Sequence, residues 1–263
     1  VGISLHGEWF CDVECLEQSL AEQIERFLPP GQLPLRPHRM PIGLILLTSG
    51  AITEEQLRAG IQAQRGAGEG RLGAWLRKLG YITERHVTSA IGQQWSRPVF
   101  PLALNQTYKQ HETLVPFPIL EASRMVIAHV SQTAGSAHAV FESRVDNTSL
   151  YAVEQMLGLR AHACIGDESA IEQALEEMRQ TPRPNEINFD ENLGWEQIAR
   201  TARSYAATLQ AQSVKMATCS QHLWIYLESP LQNTHLLFRN TVRELTGGFD
   251  SFAPDDTAEE KER

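Results

Sequence analysis

Long apolar runs are missing from this 263-residue chain. None approaches the roughly twenty residues of a membrane-spanning helix, and no secretory leader is visible. Cysteine is scarce: four residues in an acidic chain of ordinary composition do not make a disulfide framework, so a reducing cytoplasm is the expected compartment. Motifs of catalysis are missing too. There is no Gly-x-x-x-x-Gly-Lys-Ser/Thr phosphate loop, no Gly-x-Ser-x-Gly, no His-Glu-x-x-His and no pair of carboxylates in an apolar setting. Gly66-Ala67-Gly68-Glu69-Gly70 is rich in glycine but lacks the lysine and the preceding strand, and His111-Glu112 stands alone. Nothing supports an enzyme. A net charge of −9 also argues against general affinity for nucleic acid.

What is present is a repeat. Pro41-Ile42-Gly43-Leu44 runs to Gly50, then Ile52, Thr53, Leu57, Ile61 and Gln64. Arg71-Leu72-Gly73-Ala74 runs to Gly80, then Ile82, Thr83, Val87, Ile91 and Gln94, at the same offsets. Internal repetition marks one supersecondary unit used twice. In each copy an apolar run ends at a glycine, the residue that stops a helix in the left-handed conformation. A threonine three residues on then caps the next helix. Thr53 with Gln56 makes a capping-box pattern, whereas Thr83 with His86 does not, so the second helix is expected to start on the threonine cap alone. Leu57 with Ile61, and Val87 with Ile91, fall four apart on one helix face. Two helix-turn-helix units therefore predict a small four-helix bundle.

Aliphatic landmarks of this kind serve a core as readily as a ligand, but Arg71, Gln64 and Gln94 are harder to explain by packing. Residues 36–97 hold nine Lys/Arg against four Asp/Glu, a net +5 inside the acidic chain. A basic island points to an anionic ligand, although a solvated basic helix face has the same composition.

The repeat resembles the tandem motif of the MshEN family, the N-terminal domain of type II secretion and type IV pilus assembly ATPases of bacteria. That motif reads Arg-Leu-Gly, then a glycine, two leucines and a glutamine at fixed spacing. In members that bind cyclic di-GMP, each copy grips one half of the dinucleotide. The second copy carries the whole pattern, at Arg71, Leu72, Gly73, Gly80, Val87, Ile91 and Gln94. The first carries it at Ile42, Gly43, Gly50, Leu57, Ile61 and Gln64, with Pro41 in place of the arginine and Arg39 or His38 as substitutes from just outside. The resemblance implies a non-catalytic, cytoplasmic, regulatory receptor for cyclic di-GMP, acting on a secretion or pilus assembly protein and lacking the ATPase domain on this chain. Loss of one bidentate arginine would weaken an anion's binding about a hundredfold. A ligand-independent docking module for the same machinery is therefore the alternative. DNA binding through the helix-turn-helix units is a remote third, set against the acidic remainder.

The rest of the chain divides by composition. Residues 1–36 begin at Val1, so the natural start is expected upstream; they hold Trp9-Phe10-Cys11 and Cys15-Leu16, similar to half of a zinc knuckle, then an amphipathic helix on Leu16, Leu20, Ile24 and Leu28. Tetrahedral zinc takes four ligands. Cys11 and Cys15 supply two, His6 is an awkward third, and two half-buried cysteines explain the pattern equally. No other cofactor is expected. Residues 37–182 form the domain of the resemblance, with the helical repeats over 37–96 and a small mixed α/β subdomain over 97–182. In the latter, 125–130 and 137–141 predict a hairpin, 150–157 a helix, 161–165 a strand, and Asp167 the cap of an acidic helix to Met178. His129, His138 and His162 fall on separate strands without metal spacing, and Cys164 suits a core. Residues 183–247 predict a helix from Trp195 over a three-stranded antiparallel sheet (214–217, 222–227, 234–239), and 248–263 an acidic disordered tail. The expected class is thus α+β.

Overall fold

The computed structural model describes residues 3–10, 12–27, 39–104, 106–191, 193–219, 222–230 and 232–239. Cys11, His38, Leu28, the proline-rich stretch 29–37 and the acidic tail lie outside them, and with them the readings made there. Within them the chain is a mixed α+β protein with two sheets.

The chain opens with a hairpin, β1 (Ile3–Leu5) and β2 (Glu8–Phe10), closed by His6 and Gly7 at φ 49° and 89°. Two consecutive positive φ values suit the right-handed twist of the paired strands. Helix α1 (Val13–Phe27) follows, its first turn held by the Asp12 side chain accepting from the Cys15 N–H at 2.8 Å.

The repeat forms α2 (Ile42–Thr48), α3 (Glu54–Ala67), α4 (Leu72–Lys78) and α5 (Glu84–Trp95). Gly50 and Gly80 take φ of 73° and 75°, a turn conformation that a side chain would strain. Each copy's first helix packs on the other copy's second, α2 on α5 and α4 on α3. Equivalent residues of both copies, Leu46 with Leu76 and Ile52 with Ile82, share one core. Thr53 and Gln56 form the predicted capping box. Thr83 and His86 depart from expectation: the Thr83 side chain makes no cap bond, and His86 Nδ1 accepts the Thr83 N–H at 3.1 Å. An imidazole thus performs the reciprocal role usually given to Glu or Gln.

After two short 3-10 turns (Leu102–Leu104 and Gln106–Gln110) come α6 (Phe117–Ser123), β3 (Met125–Ser131), β4 (Ser136–Phe141), α7 (Asn147–Leu157), β5 (Arg160–Ile165) and α8 (Glu168–Arg179). The sheet order is β3-β4-β5, antiparallel then parallel, since a hairpin joins the first pair and α7 crosses over between the second. Asp167 stands at the N-cap of α8 but makes no side-chain cap bond; it accepts instead from the Thr88 hydroxyl and so ties α8 to α5.

Strand β6 (Glu186–Phe189), α9 (Trp195–Thr208), β7 (Ser213–Cys219), β8 (His222–Glu228) and β9 (Thr234–Arg239) complete the described chain. The three antiparallel strands expected here are present, but they are the centre of a six-stranded sheet, β2-β1-β7-β8-β9-β6. Strand β1 joins β7 and β6 joins β9, both in parallel. Leu5, Leu16 and Leu20 are fully buried in one cluster with Ala202, Val214 and Ile225. The opening segment is therefore part of the C-terminal layer. Local reading missed it because about two hundred residues separate the paired strands. On the sheet's other face, Ala217, Cys219, Trp224 and Leu237 enter the core of the α/β unit.

Candidate functional site

An open cleft of about 390 Å³ lies where the helical repeat meets the α/β unit. Its apolar wall is Ile42 from the start of α2, Leu72 from α4, and Val87 and Ile91 from α5. Gly73 lets the two helices of the second copy close up here: a Cβ on it would stand 3.2 Å from Val87 Cγ1. Arg71 is the N-cap residue of α4, and its guanidinium is 70% exposed. Its Nη1 lies 3.3 Å from Oε1 of Glu142, a carboxylate only 6% exposed that also binds Arg124 Nε at 2.5 Å. Arg144 lines the same cleft and forms no ion pair among the described residues.

The electrostatics are more balanced than the basic stretch implies. Arg71, Arg77 and Arg144 face Glu84, Glu142 and Glu168 across the cleft. Arg77 Nη1 is 3.1 Å from Glu168 Oε2 and 4.0 Å from Glu84 Oε1. Burial would raise the pKa of Glu84, but the N–H and hydroxyl of Ser169, both donating at 2.8 Å, and the Arg77 charge hold it below the usual value. Arg71 and Arg144 are thus the cations best placed to meet an incoming anion, one latched by a single bond and one without an ion pair among the described residues.

Of the residues singled out in the sequence, Ile42, Arg71, Leu72, Gly73, Val87, Ile91 and Gln94 line this cleft. Gly43, Leu57, Ile61, Gln64 and Arg39 are not among its lining. A Cβ on Gly43 would stand 2.8 Å from Leu57 Cδ1, so these two pack α2 against α3. Arg39 lies over the Trp95 ring, its Cζ 3.3 Å from the ring centre, a cation–π contact outside the cleft. The two glutamines play matched structural parts. Gln64 donates to the Gly70 carbonyl at 2.8 Å, and Gln94 to the Met40 carbonyl at 2.7 Å. Each bonds the residue just before position 71 or 41, so each copy's last helix holds the entrance to the other copy's first. Glu142, Ser143 and Arg144 were not foreseen; they sit on the link from β4 to α7, and only a polar break after an apolar strand marks them. Cys15 is exposed, and among the described residues no three His, Cys, Asp or Glu are grouped to hold a metal.

No protein-family model matches the chain. Over 118 residues, 45% of its length, the chain is 25% identical to the type IV pilus assembly ATPase PilB of Thermus thermophilus, and the match spans 13% of that relative. Among solved structures, MshE with cdg (c-di-GMP) is similar at 23% identity and a TM-score of 0.44, covering 53% of this chain and 99% of that one. The N-terminal domain of XpsE is similar in two crystal forms. One gives 16% identity, a TM-score of 0.36 and coverage of 54% and 97%. The other gives 19% identity, a TM-score of 0.30 and coverage of 55% and 98%.

Proposed function

We propose that this chain, which resembles the N-terminal domains of type II secretion and type IV pilus assembly ATPases, is a non-catalytic regulatory module that binds cyclic di-GMP. The observation that carries this reading is the convergence of seven repeat residues on one cleft: Ile42 from the first copy, and Arg71, Leu72, Gly73, Val87, Ile91 and Gln94 from the second. Its volume is within the range of small-molecule sites. The aliphatic wall offers a flat apolar face to a base, and Arg71 and Arg144 offer donors to a phosphate or to a guanine edge. Gln94 acts by holding the backbone at Met40, and so the position of Ile42. The Glu142 carboxylate is an acceptor beside them, suited to the N–H groups of a guanine once Arg71 has turned to the ligand.

Pro41 deprives the first half-site of a charged donor, which favours one strongly held half of the dinucleotide over two. The partner is a component of a secretion or pilus assembly system, and the module acts in the cytoplasm. No metal is needed for this role. Calorimetry with cyclic di-GMP is the test. Binding heat should be present in the wild type and at least tenfold weaker in Arg71→Ala, the loss of one charge-assisted contact. A wild type that gives no heat, or an Arg71→Ala variant that binds as well, leaves the ligand-independent adaptor.

A further inference from the structure

We infer that a second cavity, between the six-stranded sheet and the α/β unit, binds a small ligand that carries an anionic group and a flat ring. The cavity is larger than the repeat's cleft, about 580 Å³. One wall is aliphatic, Leu114, Met156 and Leu157; the other carries Tyr226 and His235, backed by the fully buried Trp224. The Tyr226 and His235 rings are 4.9 Å apart, and those of Trp224 and His235 5.6 Å. A planar group fits between such walls by stacking.

The polar groups are cationic and incompletely used. Arg183 lies between Pro182 and Pro184, whose fixed φ angles restrict its backbone. Its side chain is 11% exposed. Nη1 donates to the Val115 carbonyl at 3.3 Å and faces Glu186 Oε2 at 3.6 Å. Nε and Nη2 are buried with no hydrogen-bond partner among the described residues. Orphaned donors on a buried cation are costly, and native structures seldom keep them without a use. Lys215 Nζ donates to the Met156 carbonyl at 3.2 Å and forms no ion pair among the described residues, so it retains two donors. The Trp224 Nε1–H donates to His235 Nδ1 at 3.0 Å, which puts the imidazole proton on Nε2 as a further donor. Two carboxylates also line the cavity. Glu186 already accepts from the Phe117 N–H at 2.9 Å and from Asn188 Nδ2 at 3.4 Å, while Glu228 is exposed at the end of β8. An oxyanion in the cavity would meet the two spare donors of Lys215 and, with a small turn of the Arg183 guanidinium, the buried Nε and Nη2 that nothing in the described chain satisfies.

The site does not depend on the cyclic di-GMP reading, and its test keeps the two apart. Phenyl phosphate and inorganic phosphate are titrated calorimetrically into the full chain, up to about 10 mM, where a contact of a few kcal/mol becomes measurable. Phenyl phosphate should bind at least tenfold tighter than inorganic phosphate, because only it fills the ring wall. Lys215→Met should weaken it at least tenfold, and Arg71→Ala should leave it unchanged. Arg183→Gln removes a buried ion pair as well, so Lys215→Met is the deciding variant, with its fold checked by circular dichroism. The proposal is overturned by an absence of heat with both probes, by equal binding of both, by binding that survives Lys215→Met, or by loss in Arg71→Ala.

Discussion

Buried titratable side chains set the behaviour of this protein at the scale of single residues. Glu142 is the clearest case in the cleft, a nearly inaccessible carboxylate that takes one bond from Arg71 and another from Arg124. Its charge holds Arg71 in place and also limits how strongly the cleft attracts an anion. His235 shows the cost of burial on the other side of the molecule. Burial, aided by the Arg183 charge, lowers its pKa from 6.5 to about 4. The unfolded chain therefore binds the proton more readily. The stability that His235 supports is complete above pH 6.5 and is lost as the pH falls towards about 4. At about 1.4 kcal/mol per pH unit, the loss is about 3 kcal/mol. Urea unfolding of the wild type and of His235→Asn between about pH 7.5 and 4, which brackets the shift of roughly two and a half units, should show a shallower decline in the variant. Parallel curves would mean that other groups carry the acid sensitivity.

Helices of the repeat are held mainly by exchange between copies. Gln64 and Gln94 reach the backbone in front of the other copy's first helix, and Gly60 on α3 lets Leu76 of α4 approach closely, whereas Gly43 and Gly73 admit Leu57 and Val87 of their own copies. Gly60 gives the sharpest test, since two effects oppose each other there. Alanine in a helix interior is favoured over glycine by about 1 kcal/mol. A Cβ at position 60, however, would stand 2.5 Å from Leu76 Cδ2 and 3.1 Å from Leu76 Cγ, and Leu76 is fully buried. Overpacking of this kind costs about 1–3 kcal/mol. Gly60→Ala should therefore destabilise the protein by about 1 kcal/mol net in chemical denaturation, while Gly66→Ala, with nothing within 4 Å, should not. A stabilised Gly60→Ala protein would mean that α3 and α4 are less closely packed than described.

Across the whole molecule, the two ends of the described chain depend on each other. Strand β1 pairs with β7, and Arg203 on α9 binds both Glu14 and Glu17 on α1. Removing residues 1–27 would strip Leu5, Leu16 and Leu20 from the cluster beneath α9 and leave β7 as an open edge. Hydrogen exchange in β7, β8 and β9 should then rise by about two orders of magnitude or more, as each fully buried leucine lost removes roughly 2 kcal/mol. Exchange in α2 to α5, which has its own core, should change little. Equal exchange in both regions would show that the layers do not fold as separate units.

Local sequence was enough for much of what depends on neighbours in the chain, though not for the β1–β2 hairpin or the His86 bond to Thr83. The glycine stops at 50 and 80, the Thr53 cap, the β3–β4 hairpin and α7 to α8 were legible, because helix ends and turns are decided by residues a few positions apart. So was the duplicated motif that brings Arg71, Val87, Ile91 and Gln94 to one cleft. Contacts between distant segments were not legible. No pattern near residue 4 says that it will pair with residue 213, and no pattern at Glu142 says that it will hold Arg71. Pro-Arg-Pro around Arg183 has the composition of a linker, and only burial between two layers turns its guanidinium into a cavity's unsatisfied donor. Propensity and periodicity act over one or two turns of chain. Burial and charge pairing act through space, and only the tertiary structure decides who the neighbours are.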